Sequence, residues 1–472
     1  MNNVLFITHH NNDFDNFLPV IVALKKEGIN VKILAFHHKY DILQNELQNY
    51  ICTENDIVID SVTDMYHLKL LTGFIKRLHT YILDNKILDT KILLERRNPK
   101  MMLQDFIREP ATSILRMMRS ICSFYLRFGS LLFMSDKKCR EYLDENNINL
   151  IITDIRAIKK GQLELSRLGK IYAFIKKGFL DTLHDSMFRF MFLSREKNVK
   201  IIMMPHGTYP VPDDSVNKQL YPVEENGFRP DYLFLENNLT LNLYSDMGGL
   251  VETIPMGVPR YDVEWIQYIE GCIKKAFPKE NNNHKIILYI ADCFPYMTDR
   301  NALWRYKYER DREILSMVND IDDVEIWVKH HPRNDHRIPI ENFIENGRRN
   351  RIKQFGINYD TNILVSHADI CLSQLSSVFV SPIIMQKPSI VYEKWKELFP
   401  NARTIFDLAK YKAKDIPELL AMCKKIFSDG YIFSEEDVEN YCRSIFPIEN
   451  IGDTMTKKYI EKIKEVLEYG GR

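Results

Sequence analysis

Residues 4–34 read VLFITHHNNDFDNFLPVIVALKKEGINVKIL, and this stretch decides the fold. Val4 to Ile7 is a short apolar run, the pattern of a strand covered on both faces. The polar turn His9-His10-Asn11-Asn12-Asp13 follows it. Phe17, Val20, Ile21 and Leu24 then recur at helical spacing, and Gly28 is placed to end the helix. Val31 to Leu34 is a second strand. The unit is strand, helix, strand, which implies a parallel sheet. It carries no G-x-G-x-x-G, so a dinucleotide site is not read here.

Outward from this unit, apolar strands recur at Ile57 to Ile59, Leu150 to Ile152, Ile201 to Met204 and Tyr232 to Leu235. A helical insertion at about 85–145 interrupts them. Within it, Ile114 to Met134 mixes apolar residues with Arg116, Arg119 and Arg127. Two readings stand: a basic amphipathic helix lying on an anionic membrane, or a helical subdomain whose arginines face solvent. Ile254-Pro255-Met256-Gly257-Val258-Pro259-Arg260 punctuates the chain, and α/β alternation restarts beyond it. Ile286 to Ile290, Val324 to Val328, Asp369 to Leu372 and Ser389 to Val391 read as strands. The expectation is an α/β protein of two Rossmann-like lobes, 1–250 on the acceptor side and 251–445 binding the donor nucleotide, followed by a C-terminal segment 446–472. Thr454 to Leu467 in that last segment reads as a charged amphipathic helix.

With 472 residues, two domains are comfortable. A hydrophobic share of 45% and a charged share of 27% are those of a soluble globular chain. Basic and acidic residues balance at 64 each, so there is no global field to concentrate nucleic acid. The cysteines Cys52, Cys122, Cys139, Cys272, Cys293, Cys371, Cys423 and Cys442 form no Cys-x-x-Cys pair, which points to reduced thiols. MNNVLFITHH has no basic n-region and reads as a first strand, not a signal peptide. No window reaches the length of an apolar membrane span. The expected location is cytoplasmic, at the inner membrane face if 114–134 is a membrane arm.

Ligands of open α/β sheets bind beyond the carboxyl ends of the strands. After one strand comes Ser373-Gln374-Leu375-Ser376-Ser377, where Ser376 or Ser377 is placed to cap a helix and offer its N-terminus to a phosphate. After another comes Lys329-His330-His331-Pro332-Arg333, whose cations suit phosphate oxygens. In the first lobe, Pro205-His206-Gly207-Thr208 puts a histidine at a strand end, where it can act as general base on an acceptor hydroxyl. Asp13, His9, His10 and Asp154 rival it. The adjacent carboxylates Asp213-Asp214 and Asp322-Asp323 read as solvated turns, so neither a metal site nor a cofactor is expected. Walker, G-x-S-x-G and H-E-x-x-H patterns are absent.

These motifs carry a resemblance. Gly257-Val-Pro-Arg260-Tyr-Asp262, Lys329-His-His-Pro-Arg333, Ala368 to Phe379 and Lys387-Pro-Ser-Ile-Val-Tyr392 resemble the nucleotide-binding half of GT-B glycosyltransferases and CDP-glycerol glycerophosphotransferases of bacterial surface-polymer synthesis. The resemblance covers roughly residues 200–395. It implies that His331, Arg333, Ser376 and Ser377 hold the donor's phosphates and nucleoside and, in the CDP-glycerol branch, that His206 lies near the reacting centre; Lys329 and Gln374, in the same two motifs, are expected to join the donor site. CDP-glycerol enzymes usually carry Asp-Tyr-Ser-Ser where this chain has Gln374-Leu375-Ser376-Ser377, a form that leans toward sugar transfer. The expected activity is an inverting, metal-independent transfer of a sugar from a CMP- or other nucleotide-activated donor to a capsule or lipopolysaccharide acceptor. The alternatives are CDP-glycerol transfer, UDP-sugar 2-epimerisation and a non-catalytic scaffold.

Overall fold

The computed structural model describes residues 3–8, 11–36, 45–62, 135–154, 179–205, 229–237, 251–279, 284–291, 300–330, 338, 340–356, 359–374, 376–397, 405–430, 434–447 and 454–469. His9, His10, His206, Asp213, Asp214, His331 and Arg333 lie outside them, as do Cys122, Cys293, the stretch 114–134 and all of the insertion before residue 135.

β1 (Asn3–Thr8), the helix α1 (Asn11–Lys26) and β2 (Asn30–Ala35) build the expected strand-helix-strand unit. Gly28, at φ +75°, makes the left-handed turn between helix and strand. α1 begins at Asn11, so the last three residues of the expected polar turn are helical; Asp13 in that first turn complements the positive helix end. Pro19 lies inside α1 and has no N–H to give the carbonyl of Asp15, four residues back. Alternation along β1 feeds both faces of the sheet: Val4 and Phe6 enter one core, Leu5 and Ile7 another.

β1 and β2 belong to an all-parallel sheet with β3 (Ile59–Ser61), β4 (Ile148–Asp154), β5 (Lys200–Met204), β6 (Tyr232–Leu235) and β7 (Glu252–Pro255). Its order is β3-β2-β1-β4-β5-β6-β7. β3 starts where the expected strand at 57–59 ends, and β7 runs into the proline-glycine punctuation at 254–260. The helices α2 (Glu46–Glu54), α3 (Asp136–Glu145) and α4 (Phe179–Glu196) accompany this sheet.

The helix α5 (Val263–Ala276) leads to a second parallel sheet. Its strands are β8 (Lys285–Ile290), β9 (Val324–Lys329), β10 (Ile352–Phe355), β11 (Ile370–Ser373), β12 (Ser389–Tyr392) and β13 (Tyr411–Ala413). Its order, β10-β9-β8-β11-β12-β13, repeats the first sheet's pattern. The helices are α6 (Arg300–Ser316), α7 (Thr361–His367), α8 (Val380–Ile384), α9 (Ile416–Asp429) and α10 (Glu435–Ile445). Each sheet reverses its winding once, between β1 and β4 and between β8 and β11, as doubly wound sheets do. The molecule is α/β with two Rossmann-like lobes in a GT-B-like arrangement.

The last helix, α11 (Met455–Tyr469), returns to the first lobe. Tyr459 is fully buried, meets Phe234 of β6 edge to face at 5.2 Å, and donates its hydroxyl to the Gly257 carbonyl at 2.9 Å. The two segments that join the lobes are therefore tied to each other. Asp262 caps α5 and also accepts from the Thr456 amide at 2.7 Å, while Tyr261 stacks on Phe446 at 6.0 Å. One apolar core runs from β1 and α1 through Trp265, Ile266 and Ile269 of α5 to Leu288 and Cys371 of the second sheet. Cys52, Cys139, Cys272, Cys371, Cys423 and Cys442 are buried free thiols. Among the described residues no helix is long and apolar enough to cross a membrane.

Candidate active site

The winding reversals place a cleft at the carboxyl edges of both sheets, so the residues there decide the chemistry. At the first reversal, β1 runs into α1, and β4 ends in Asp154. Asp13 is fully buried and Asp154 nearly so. Asp15, half a turn further round α1, keeps its side chain 25% exposed. Asn16 donates its Nδ2 to the Pro205 carbonyl at 3.1 Å in a buried contact. That bond fixes the chain where it leaves β5, one residue before His206.

At the second reversal the expected serine cap does not form. Ser376 takes the extended backbone of an N-cap, φ −119° and ψ 124°, but its side chain makes no capping bond. The helix beyond is a three-residue 3-10 turn followed by the five-residue α8. Gln386, at φ +55°, ends the turn that follows and sends the chain into β12. The apolar stretch after Ser377 thus gives only a short helix, with little dipole to offer an anion. Ser377 is used differently: its Oγ accepts from Arg260 Nη2 at 3.4 Å.

Gln374 is fully buried, and its Oε1 accepts from Arg310 Nη1 at 2.9 Å. Arg310 comes from α6 and is itself fully buried. It meets Asp311 at 3.3 Å, and Asp311 also accepts from Tyr289 Oη at 2.6 Å and from Lys307 Nζ at 3.2 Å. Gln374 therefore braces the end of β11 from within the lobe. Lys329 Nζ donates to the Gly356 carbonyl at 2.9 Å, joining the exits of β9 and β10. His330 Nε2 pairs with Gln354 Oε1 at 2.9 Å. Lys387 donates to the carbonyls of Ser366 and Ala368, closing the carboxyl end of α7.

Arg260 joins the two lobes. It follows Gly257-Val-Pro in the crossing segment, and its side chain is 10% exposed. Nη1 stands 3.5 Å from Asp15 Oδ2 of the first lobe, while Nη2 reaches Ser377 of the second. The guanidinium also lies 4.7 Å from the centre of the Tyr261 ring. Its Nε is buried without a hydrogen-bond partner among the described residues. Beside it, Asn45 Nδ2 donates to Asp360 Oδ2 at 2.7 Å, a second bond between the lobes, and Asp360 caps α7.

Burial pushes the Asp15 carboxyl up to about 6; the Arg260 charge opposes this and the Asp360 carboxylate adds to it. Burial also raises Asp360, against a hydrogen bond from Asn45 and the Lys329 charge. Two carboxylates and a guanidinium thus share a partly dry cleft, where charges interact strongly.

Asp15 and the place of Arg260 are not among the site residues expected from the sequence. The available signal was that Arg260 is a cation in the segment joining two α/β units. Arg310 lies in Tyr308-Glu-Arg-Asp-Arg-Glu313, a charge run that reads as a solvated helix face, and its burial has no periodic mark.

Residues 179–413, just under half of the chain, match the profile of the family described as CDP-Glycerol:Poly(glycerophosphate) glycerophosphotransferase. The matched stretch includes Arg260, Lys329, Gln374, Ser376 and Ser377. No curated protein matches the sequence. Among solved structures, a UDP-N-acetylglucosamine 2-epimerase from Listeria monocytogenes aligns at 12% identity over 99% of this chain and 97% of its own, with a TM-score of 0.52. Another UDP-N-acetylglucosamine 2-epimerase aligns at 10% identity over 100% and 98%, with a TM-score of 0.50. The wall teichoic acid polymerase TagF aligns at 10% identity over 99% and 89%, with a TM-score of 0.49. At these identities the likeness to the epimerases is one of fold. The family match defines the class: the chain is a transferase.

Proposed function

We propose that this transferase takes a group from a cytidine-nucleotide donor and places it on a hydroxyl of a surface-polymer acceptor, with CDP-glycerol the first donor to try. One observation carries the reading. Arg260 meets Asp15 of one lobe and Ser377 of the other at the carboxyl edges of both sheets, where a donor phosphate and an acceptor must face each other. The family match over the second lobe supports the donor class. In this reading residues 1–250 bind the acceptor and 251–445 the donor, with 446–472 joining them.

Donor phosphates would meet Ser376, Ser377 and the loop of Lys329, His331 and Arg333. Lys329 would act by holding that loop, since its ammonium is already bonded to Gly356. In glycerophosphate transfer the acceptor oxygen attacks the β-phosphorus in line and CMP leaves. Fixed donors around the departing phosphate carry the developing charge. The acceptor's proton passes to a group at the first reversal, for which His206 and Asp13 are the sequence's candidates. Sugar transfer from a CMP-sugar, with inversion, is the second reading. It rests on the Gln374-Leu-Ser-Ser form, in which the Gln374 Oε1 is already engaged by Arg310. A capsule or lipopolysaccharide acceptor belongs to that second reading, as does membrane contact through 114–134.

Nucleotide binding tests both. A ligand at one hundred times its Kd stabilises by about 2.7 kcal/mol and raises the melting temperature. CDP or CMP should do so. A shift with UDP alone would transfer the case to the epimerase or UDP-sugar class. Radiolabelled CDP-glycerol with a glycerol-phosphate primer then separates the two cytidine readings by whether the label enters polymer.

A further inference from the structure

We infer that Asp15 is the base that takes the acceptor's proton, and that Arg260 restrains it until a donor phosphate arrives at Ser377. The inference rests on the nucleotide-transfer reading above. Four observations support it. Asp15 is the carboxylate of the first reversal that is partly open, whereas Asp13 and Asp154 are buried. Its partner Arg260 makes two long contacts, 3.5 Å to Asp15 and 3.4 Å to Ser377, where a settled guanidinium pair sits nearer 2.8 Å. Arg260 Nε is buried and unpartnered among the described residues, which leaves donor capacity for a further oxygen. Ser377, the other end of the bridge, follows β11 at the reversal where a phosphate belongs.

A phosphate entering beside Ser377 competes with Asp15 for the guanidinium and offers more acceptor oxygens. Arg260 shifts toward the phosphate and Asp15 loses its opposing charge. The groups facing Asp15 are then Asp360 from the cap of α7, Gln48 from α2 and Tyr261 from the crossing segment. Of these, Asp360 raises the carboxyl and Gln48 holds it by a hydrogen bond. A carboxylate already at about 6 moves closer to neutrality, where a general base is most effective. In the step itself the acceptor O–H bond breaks and its proton goes to Asp15. The acceptor oxygen bonds to the β-phosphorus, the bond from that phosphorus to CMP breaks, and CMP leaves with the electron pair, its charge met by Arg260. The device ties deprotonation to donor binding, so an empty donor site does not leave an active base facing water.

Titration calorimetry at pH 6.5, in buffers of different ionisation enthalpy, measures the protons taken up per nucleotide bound. CDP is the probe; CMP, UDP and GDP are used in turn if CDP does not bind. Wild type should take up several tenths of a proton more than Asp15→Asn, and Arg260→Ala should lose that excess. Equal uptake in wild type and Asp15→Asn overturns the inference while nucleotide binding itself keeps the functional reading. Absence of binding by all four nucleotides overturns both. With CDP-glycerol turnover in hand, Asp15→Asn should lower kcat about 100-fold or more, leave the donor KM within a few-fold, and abolish the acid limb of the pH–rate profile. Arg260→Ala should move that limb to higher pH, and Arg260→Lys should restore it toward the wild-type position. An unmoved limb in Arg260→Ala would show that Arg260 does not restrain the carboxyl.

Discussion

Asp15 sits where being a carboxylate is unfavourable, and this has a sign that can be checked. Its value in the fold lies above that of an unfolded chain, near 6 against about 4. Between those values the native state binds more protons than the unfolded state, so this residue's contribution to stability falls as pH rises through the window. Asp15→Asn removes the penalty. Above pH 6 the variant should be more stable than wild type by about 3 kcal/mol, with the difference vanishing below about pH 4. Urea unfolding at pH 4 and pH 7.5 measures it. A gain in stability alongside a loss of turnover would mark a residue retained for function. Gln374 makes a second case. Because it faces Arg310 inside the lobe, Gln374→Asp should form a charge-assisted pair there, keep the melting temperature within a few degrees and leave nucleotide preference unchanged. Arg310→Met should cost about 1–3 kcal/mol, since it leaves Gln374 Oε1 buried without its donor, while Asp311 keeps Lys307 and Tyr289.

At the scale of elements, the segment 256–262 depends on contacts that only the folded chain supplies. Gly257 adopts φ +86°, and a Cβ there would fall 2.3 Å from Met455 Sδ. Gly257→Ala should destabilise by about 1–3 kcal/mol in a denaturant titration, and adding Met455→Ala should recover only part, because the backbone strain stays. Tyr459→Phe should cost about 1–2 kcal/mol by leaving the Gly257 carbonyl buried without its donor. Which elements the sequence announced follows from length and surroundings. β1, β4, β5 and β8 are central strands, buried on both faces, and their apolar runs are unmistakable. β10 and β13 are edge strands of four and three residues, where a sheet tolerates Lys353, Gln354 and Lys412, so no apolar run marks them. The site was legible to the same extent. Residues that follow central strands stood out, as Ser376 and Ser377 did. Asp15 and Arg260 did not, because what matters is that two separate lobes bring them together, and neighbouring residues in the chain say nothing of that.

In the molecule as a whole, the apolar core is continuous through α5 from one sheet to the other. Lobes joined in this way should melt together. Differential scanning calorimetry should give one transition, moved as a unit by a bound nucleotide, and not two with only the second moved. The path of α11 has a further consequence, for the order in which the molecule can be made. The helix whose Tyr459 packs against Phe234 of β6 is translated some 220 residues after that strand, with the second sheet emerging between them. Until residues 455–469 leave the ribosome, the first lobe waits with an apolar face uncovered while the second lobe is free to fold beside it. Nascent chains arrested before residue 455 should therefore hold the second sheet in a protease-resistant state and leave the first exposed to chaperones, although it was synthesised earlier.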